Sequence, residues 1–190
     1  QGALRPRGGN RATTRRYGSG RQMNSKLDLT GSRTILTTID EYRAAVAEIA
    51  KHAQRVLSIY TPDLEPQLYD QDMFLEPVKR LVLARRYAKV RVLISDPGRL
   101  QRDGNRFMQI ARRLTTFLDL RNVSPEYRGN PCSFIIADDK AIVYRQQCTR
   151  WDGIVEFNDT SVVKRYLAYY DEVWACSLIQ PQLRATAIDF

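Results

Sequence analysis

A three-layer α/β/α sandwich with a mixed β-sheet is the fold class this sequence predicts. Two observations carry that expectation. Short apolar runs of strand length, Val56–Tyr60 and Val90–Ile94, alternate with helical stretches through the first part of the chain. That is the pattern of parallel strands joined by helical crossovers. Later, Phe134–Ala137 and Ala141–Tyr144 flank Asp138-Asp139-Lys140, a hairpin signal that adds an antiparallel part.

Each element has its own warrant. Residues 1–32 are rich in Gly, Arg, Ser, Thr and Asn and show no apolar period, so they read as a disordered basic arm, a linker or a tag remnant. The chain does not begin with Met, which fits a fragment or a processed form. A folded domain is expected over 33–190. Asp40 reads as the N-cap of a helix over about 40–53, with Val46, Ile49, Ala50 and Ala53 at helical spacing. Val56–Tyr60 is a buried strand ended by Thr61-Pro62, and 61–70, with two prolines, reads as a loop holding at most a short helical turn.

Residues 72–87 predict a helix with Phe74, Val78, Leu81 and Val82 on one side. Val90–Ile94 is the next strand, and Asp96-Pro97-Gly98 turns it into a helix over about 99–117 with Phe107, Ile110, Ala111 and Leu114 as its stripe. Leu118–Val123, the hairpin and Ile154–Phe157 follow as strands. Thr160–Cys176 closes the domain as a helix with Val163, Leu167, Tyr170 and Trp174 on one face, and the tail after Gln180 has room for one more turn. No internal repeat is visible.

Composition narrows the function classes. The chain has 190 residues and a net charge of +9. Residues 1–33 carry 8 basic residues against Asp28 alone, whereas 34–190 carry 22 basic and 20 acidic residues. The basic character therefore belongs mostly to the arm, and a basic tail says less about a binding groove than a basic folded face would. A mean hydropathy of −0.44, with no apolar stretch of spanning length, argues against membrane insertion. Cys132, Cys148 and Cys176 form neither a disulfide framework nor a zinc pattern. They read as reduced thiols, which points to the cytoplasm. No Gly-rich phosphate loop, metal-ligand spacing or Ser-His-Asp set is present, so no cofactor and no metal are expected.

The stretch Pro131-Cys132-Ser133-Phe134-Ile135-Ile136-Ala137-Asp138 keeps the frame His-x-Lys-x4-Asp without its first two members. With the element order and the closing Tyr166–Trp174 segment, it resembles one half of a phospholipase D-like protein over about 34–178. The chain is also similar to an uncharacterised bacterial domain found after N-acetyltransferase modules, in which a segment such as Tyr60-Thr61-Pro62-Asp63-Leu64 recurs. The first resemblance implies a fold, and a chemistry that this sequence lacks. In the active family the His attacks phosphorus, the Lys holds phosphate oxygens and the carboxylate supports the fold. Nucleophilic catalysis needs a group that can attack and a partner that tunes it. Pro131 can do neither, and Ser133 is neutral and too short to replace a lysine. The family's Gly-Ser-x-Asn would fall on Arg145-Gln146-Gln147-Cys148, where none of those types is kept. The one histidine, His52, ends the first helix, where its partial charge suits the helix dipole. No catalytic residue is assigned.

Several residues remain as candidate contacts, each with an ordinary structural alternative. Tyr60 and Asp63 follow a strand whose carboxyl end is where ligands gather in open α/β sheets; Asp63 alternatively caps the turn after Pro62. Ser133 lies in the degenerate motif. Asp138 is a ligand contact or a hairpin-turn residue. Arg145 is an anion contact or the surface partner of Glu156 or Asp152. Asp96 is a pocket residue or a turn cap. Arg102, Arg106 and Arg113 share a helix face, and make either a phosphate-tracking stripe or a solvated surface. The function expected is a catalytically inactive phospholipase D-like binding module for a phosphate-bearing ligand. The alternatives are a nucleic-acid-binding protein that uses the arm and the Arg stripe, and an enzyme of other chemistry. The expected partners are an anionic small molecule or a nucleic acid. A second copy is a further expected partner, since single-half members of the family pair, as is an upstream domain.

Overall fold

The computed structural model describes residues 33–98, 100 and 105–179. The chain runs β1 (Arg33–Leu36), α1 (Ile39–His52), β2 (Val56–Thr61), α2 (Pro66–Tyr69), α3 (Asp72–Ala84), β3 (Lys89–Ile94), α4 (Arg106–Arg113), β4 (Leu118–Asn122), β5 (Ser133–Ala137), β6 (Ala141–Arg145), β7 (Gly153–Phe157), α5 (Thr160–Cys176) and β8 (Leu178–Ile179). The eight strands form one mixed sheet in the order β1-β7-β6-β5-β2-β3-β4-β8. β2, β3 and β4 are parallel, and every other neighbouring pair is antiparallel.

The central strands are apolar on both faces, as strands covered on both sides must be. On one face Leu57, Ile59, Val90, Val92, Ile135 and Val143 pack with Ile49 of α1, Val78 of α3 and Phe107 of α4. On the other, Tyr60, Leu93, Phe134, Ile136 and Ile142 pack beneath Val163, Tyr170 and Val173 of α5. Each large side chain so buried contributes roughly 1.5–3 kcal/mol. The sandwich is the one the sequence predicts.

Four local expectations change. The cap of α1 is Thr38, not Asp40. Thr38 Oγ1 accepts from the Glu41 backbone N–H at 3.2 Å, and the Glu41 carboxylate accepts from the Thr37 and Thr38 N–H groups. That reciprocal box satisfies more of the orphan donors than one Asp can, and Asp40 instead pairs with Arg43 at 2.6 Å. α3 stops at Ala84, because Arg85 is already extended (φ −137°). The helix expected over 99–117 is described at Leu100 and over α4, which is opened by Asn105, whose side chain accepts from the Met108 N–H at 2.8 Å, and ends at Arg113. β1 and β8 border the sheet without a sequence signal, being short edge strands with Ile35 and Leu178 exposed. The arm 1–32 and the tail from Gln180 lie outside the described residues.

Asp138 fastens the lower edge of the sheet. It sits in the β5–β6 hairpin in the left-handed region (φ 57°), which aspartate tolerates better than most residues. Its carboxylate accepts backbone N–H bonds from Gln54 (2.9 Å), Arg55 (2.8 Å) and Val56 (2.9 Å), and so clasps the link between α1 and β2. Hydrogen bonds to a charged acceptor are worth roughly 1.5–3 kcal/mol each. Asp138→Ala should therefore lower the unfolding free energy by about 3 kcal/mol or more, and Asp138→Asn by clearly less. Urea unfolding of both variants checks this, and equal, small losses would contradict the clasp.

Candidate binding cleft

The register fixes which candidates meet. Tyr60 near the end of β2 lies opposite Phe134 of β5, and Ser133 opposite Arg145 at the end of β6. The carboxyl ends of β2, β3 and β6 and the start of β5 thus share one edge, the upper edge. That edge gathers Tyr60, Asp63, Asp96, Ser133 and Arg145, the place where ligands bind in open α/β sheets. Asp138 lies at the opposite end of β5, about 17 Å away at strand rise. His52 is at that lower end too. It rests 5.0 Å from Phe157, whose strand partner Ala141 pairs in turn with Ala137 beside Asp138. Pro131 stands just before β5 at the upper edge, so the single imidazole of the chain and the motif's first position are at opposite ends of the sheet.

Arg145 differs most from its sequence reading. It pairs with neither Glu156 nor Asp152: Arg150 holds Asp152 at 2.7 Å, and Arg33 approaches Glu156 at 3.6 Å. The Arg145 guanidinium is fully buried and binds the Glu65 carboxylate. It also donates to the Arg150 carbonyl at 3.1 Å. Its flat faces lie 5.0 Å from the centre of the Tyr42 ring and 4.7 Å from that of Trp151. A guanidinium is suited to this combined stacking and forked pairing. Glu65 reaches it through a strained turn: Leu64 is left-handed (φ 55°), held by its N–H on Thr61 Oγ1 at 3.2 Å and by the Asn105 amide on its carbonyl at 3.3 Å. Gly153 completes the fit, since a Cβ there would lie 2.7 Å from the Tyr42 ring.

The Tyr42 and Tyr69 hydroxyls converge beside Ser133, and burial drives both phenols far above their ordinary range. None of these three hydroxyls, nor Arg145 Nε, completes a hydrogen bond of good geometry. Tyr60 is packed rather than presented. Its ring stacks on Phe134 at 5.2 Å and its hydroxyl donates to the Tyr127 carbonyl at 3.4 Å. Asp63 is buried near the turn. Asp96 accepts from the Gly98 N–H at 3.2 Å, just before the helical Pro97 and Gly98, and so caps a helix start. Arg106 is engaged by its own chain, with Asp70 and Asp72 each at 2.6 Å. Arg113 is exposed on the same helix, and Arg102 lies outside the described residues.

An open groove of about 300 Å³ lies where the sheet edge meets α5. Pro131, Cys132 and Gln146 form its floor and Tyr166 and Tyr169 one wall, with Asn130 and Arg165 at its rim. The sequence reading missed this wall. Its only signal was Tyr166 and Tyr169 three residues apart on a helix, which a core stripe mimics. Among the described residues no group of three His, Cys, Asp or Glu side chains is placed to hold a metal, and no helix is long and apolar enough to cross a membrane.

A family model described as a domain of unknown function (DUF7931) matches residues 38–186. The chain belongs to this family. No curated protein sequence matches it. Among solved structures, NucT from Helicobacter pylori is similar at TM-score 0.54 and 12% identity, over 78% of this chain and 98% of that one. Nuc from Salmonella typhimurium, a phospholipase D family member, is similar at 0.52 and 13%, again over 78% and 98%. An archaeal chromatin protein, TrmBL2, whose structure shows a novel mode of DNA binding, is similar at 0.58 and 13%, over 83% of this chain and 57% of that one. The DUF7931 chain therefore has the phospholipase D fold.

Two predictions follow from this geometry. Breaking a buried ion pair by removing one partner typically costs about 3–5 kcal/mol, whereas replacing both with apolar groups is often near neutral. Glu65→Leu alone should be strongly destabilising, and Glu65→Leu with Arg145→Met should recover most of the loss in thermal unfolding. On the other face, burial raises the Glu156 carboxyl above its ordinary range. Asp159 adds to the rise and Arg33 opposes it. A raised folded value means its contribution is full at low pH and is lost as pH rises through that value. Glu156→Gln should raise the melting temperature at neutral pH, with a gain that shrinks toward about pH 4.

Proposed function

We infer that this DUF7931 domain is a catalytically inactive phospholipase D-fold module that binds a phosphate-bearing ligand at the upper edge of its sheet. One observation supports the reading: the chain's only histidine, His52, is at the far end of the sheet from Pro131, where the sequence resemblance puts the family's nucleophile. A proline has no group that can attack phosphorus. Ser133 and Arg145 are too deeply buried to meet an incoming ligand directly. With Tyr60 and Asp63 they form the packed ground behind the groove, and the anion is received at the groove's rim, by Arg165 with the Asn130 and Gln146 amides.

A second reading is nucleic-acid binding. The fold-level likeness to a chromatin protein and the exposed Arg113 favour it, together with the charge of the arm. It predicts binding that weakens steeply with salt. A second copy or an upstream domain are further proposed partners.

Purified protein should not hydrolyse bis(p-nitrophenyl) phosphate, plasmid DNA or phosphatidylcholine vesicles above the blank, yet its melting temperature should rise with a phosphate-bearing ligand by mass action. Turnover that tracks the protein and is lost in Ser133→Ala would overturn the reading.

A further inference from the structure

The groove beside α5 has a chemistry of its own. Its two tyrosine rings pack against neighbouring aromatic rings. Tyr166 is braced by Phe134 at 5.0 Å, edge to face, and by Tyr144 at 4.8 Å. Tyr169 is braced by Tyr60 at 6.0 Å and Tyr127 at 6.4 Å. Tyr127 is itself fixed by its hydroxyl on Glu172 at 2.8 Å. Rings locked in this way form a preorganised aromatic wall, and a partner placed on it loses little ordering entropy.

The polar groups around that wall are of one kind. Arg165 is exposed at the rim with its guanidinium 5.8 Å from the Tyr166 ring, and it makes no ion pair among the described residues. The Gln146 amide is exposed beside it. The Asn130 side chain is oriented by its oxygen, which accepts from the Cys132 N–H at 3.1 Å and leaves the amide N–H groups for the groove. Burial pushes the Cys132 thiol and the Tyr166 phenol up to about 12, so both are neutral and repel no anion. Among the described residues no carboxylate lines the groove.

This set selects among phosphate-bearing molecules. A choline headgroup would place a cation beside Arg165 with no counter-charge. A polyphosphorylated sugar would need more cations than one. The apolar floor ends at Pro131 and Cys132, too short for an acyl chain. An aromatic ring carrying a single phosphate fits both the wall and the rim, and about 300 Å³ is at the small end of ligand pockets.

We propose that this groove is a nucleotide site, in which a nucleobase stacks on Tyr166 and Tyr169 while its phosphate is held by Arg165 with the Gln146 and Asn130 amides. The proposal deepens the binding reading above and rests on it for the class of ligand. The nucleotide arrives either free or as a unit of a single strand, because both present the same base and phosphate.

Calorimetric titration of the full chain with AMP, adenosine, ribose 5-phosphate and a short single-stranded oligoadenylate separates the cases. AMP should bind at least about tenfold tighter than either of its halves. Arg165→Gln, an exposed change that spares the core, should weaken AMP about tenfold, and Tyr166→Leu, which keeps the packing apolar, should do the same. Lys140→Gln, an exposed change in the hairpin at the lower end of the sheet, should leave AMP binding unchanged. Oligoadenylate that competes with AMP and is weakened by the same two variants assigns the site to a strand; oligoadenylate that does neither assigns it to the free nucleotide. AMP binding that is absent at millimolar concentration, or equal in wild type, Arg165→Gln and Tyr166→Leu, overturns the site. In that event a melting-temperature rise with another phosphate-bearing ligand would leave the broader binding reading standing. Phosphodiester turnover would remove that reading whatever AMP does.

Discussion

A buried guanidinium cannot be left unpaired, and the upper edge of this sheet is organised around that constraint. Arg145 ends β6 with no exposed surface, so its charge must be met from within. Glu65 meets it, and reaching it requires the left-handed turn at Leu64, which costs on the order of 1–2 kcal/mol for a residue with a Cβ. Tyr42 and Trp151 close over the flat faces of the guanidinium, and Tyr42 in turn needs a glycine at 153. Four elements, α1, β6, β7 and the β2–α2 link, are thereby tied at one place. The same arrangement withdraws the Arg145 guanidinium from solvent at the cleft.

The two ends of β5 thus serve different purposes. At the lower end Asp138 spends its carboxylate on three backbone N–H groups of the α1–β2 link, a structural task. At the upper end stand Pro131 and the buried Ser133. A fold does not fix a function; the residues grafted on it do. Here the open, donor-lined groove lies at the rim of α5, where it is lined by Arg165 and two tyrosines packed against neighbouring rings.

Much of the framework was legible because it rests on period and punctuation. Val56–Tyr60, Val90–Ile94 and the two hairpin strands are apolar runs bounded by turn residues, and α5 matched its expected bounds because Asp159 caps it cleanly. β1 and β8 were not legible, since an edge strand half open to solvent needs few apolar residues. The cap of α1 was misplaced by two residues because Asp40 is as good a cap by type as Thr38, and only the reach of Glu41 decides between them. The site was less legible than the fold. The strand register sets Tyr60, Ser133 and Arg145 at one edge, but how deeply each is buried is a tertiary property the sequence does not show. Nothing in Arg145-Gln146-Gln147-Cys148 announces that Glu65, eighty positions earlier, would take the guanidinium. The tyrosine wall was hidden for the converse reason, as an i, i+3 aromatic pair is also what a core face looks like.

The central claim is that Arg145 is committed to Glu65, so that anion recognition belongs to the Arg165 rim. A crystal structure of the protein soaked in AMP tests it most directly. The account predicts a phosphate at Arg165 and Gln146, with the Arg145–Glu65 pair intact behind it. A phosphate bound to Arg145, with Glu65 swung away and the Tyr166–Tyr169 groove empty, would contradict it.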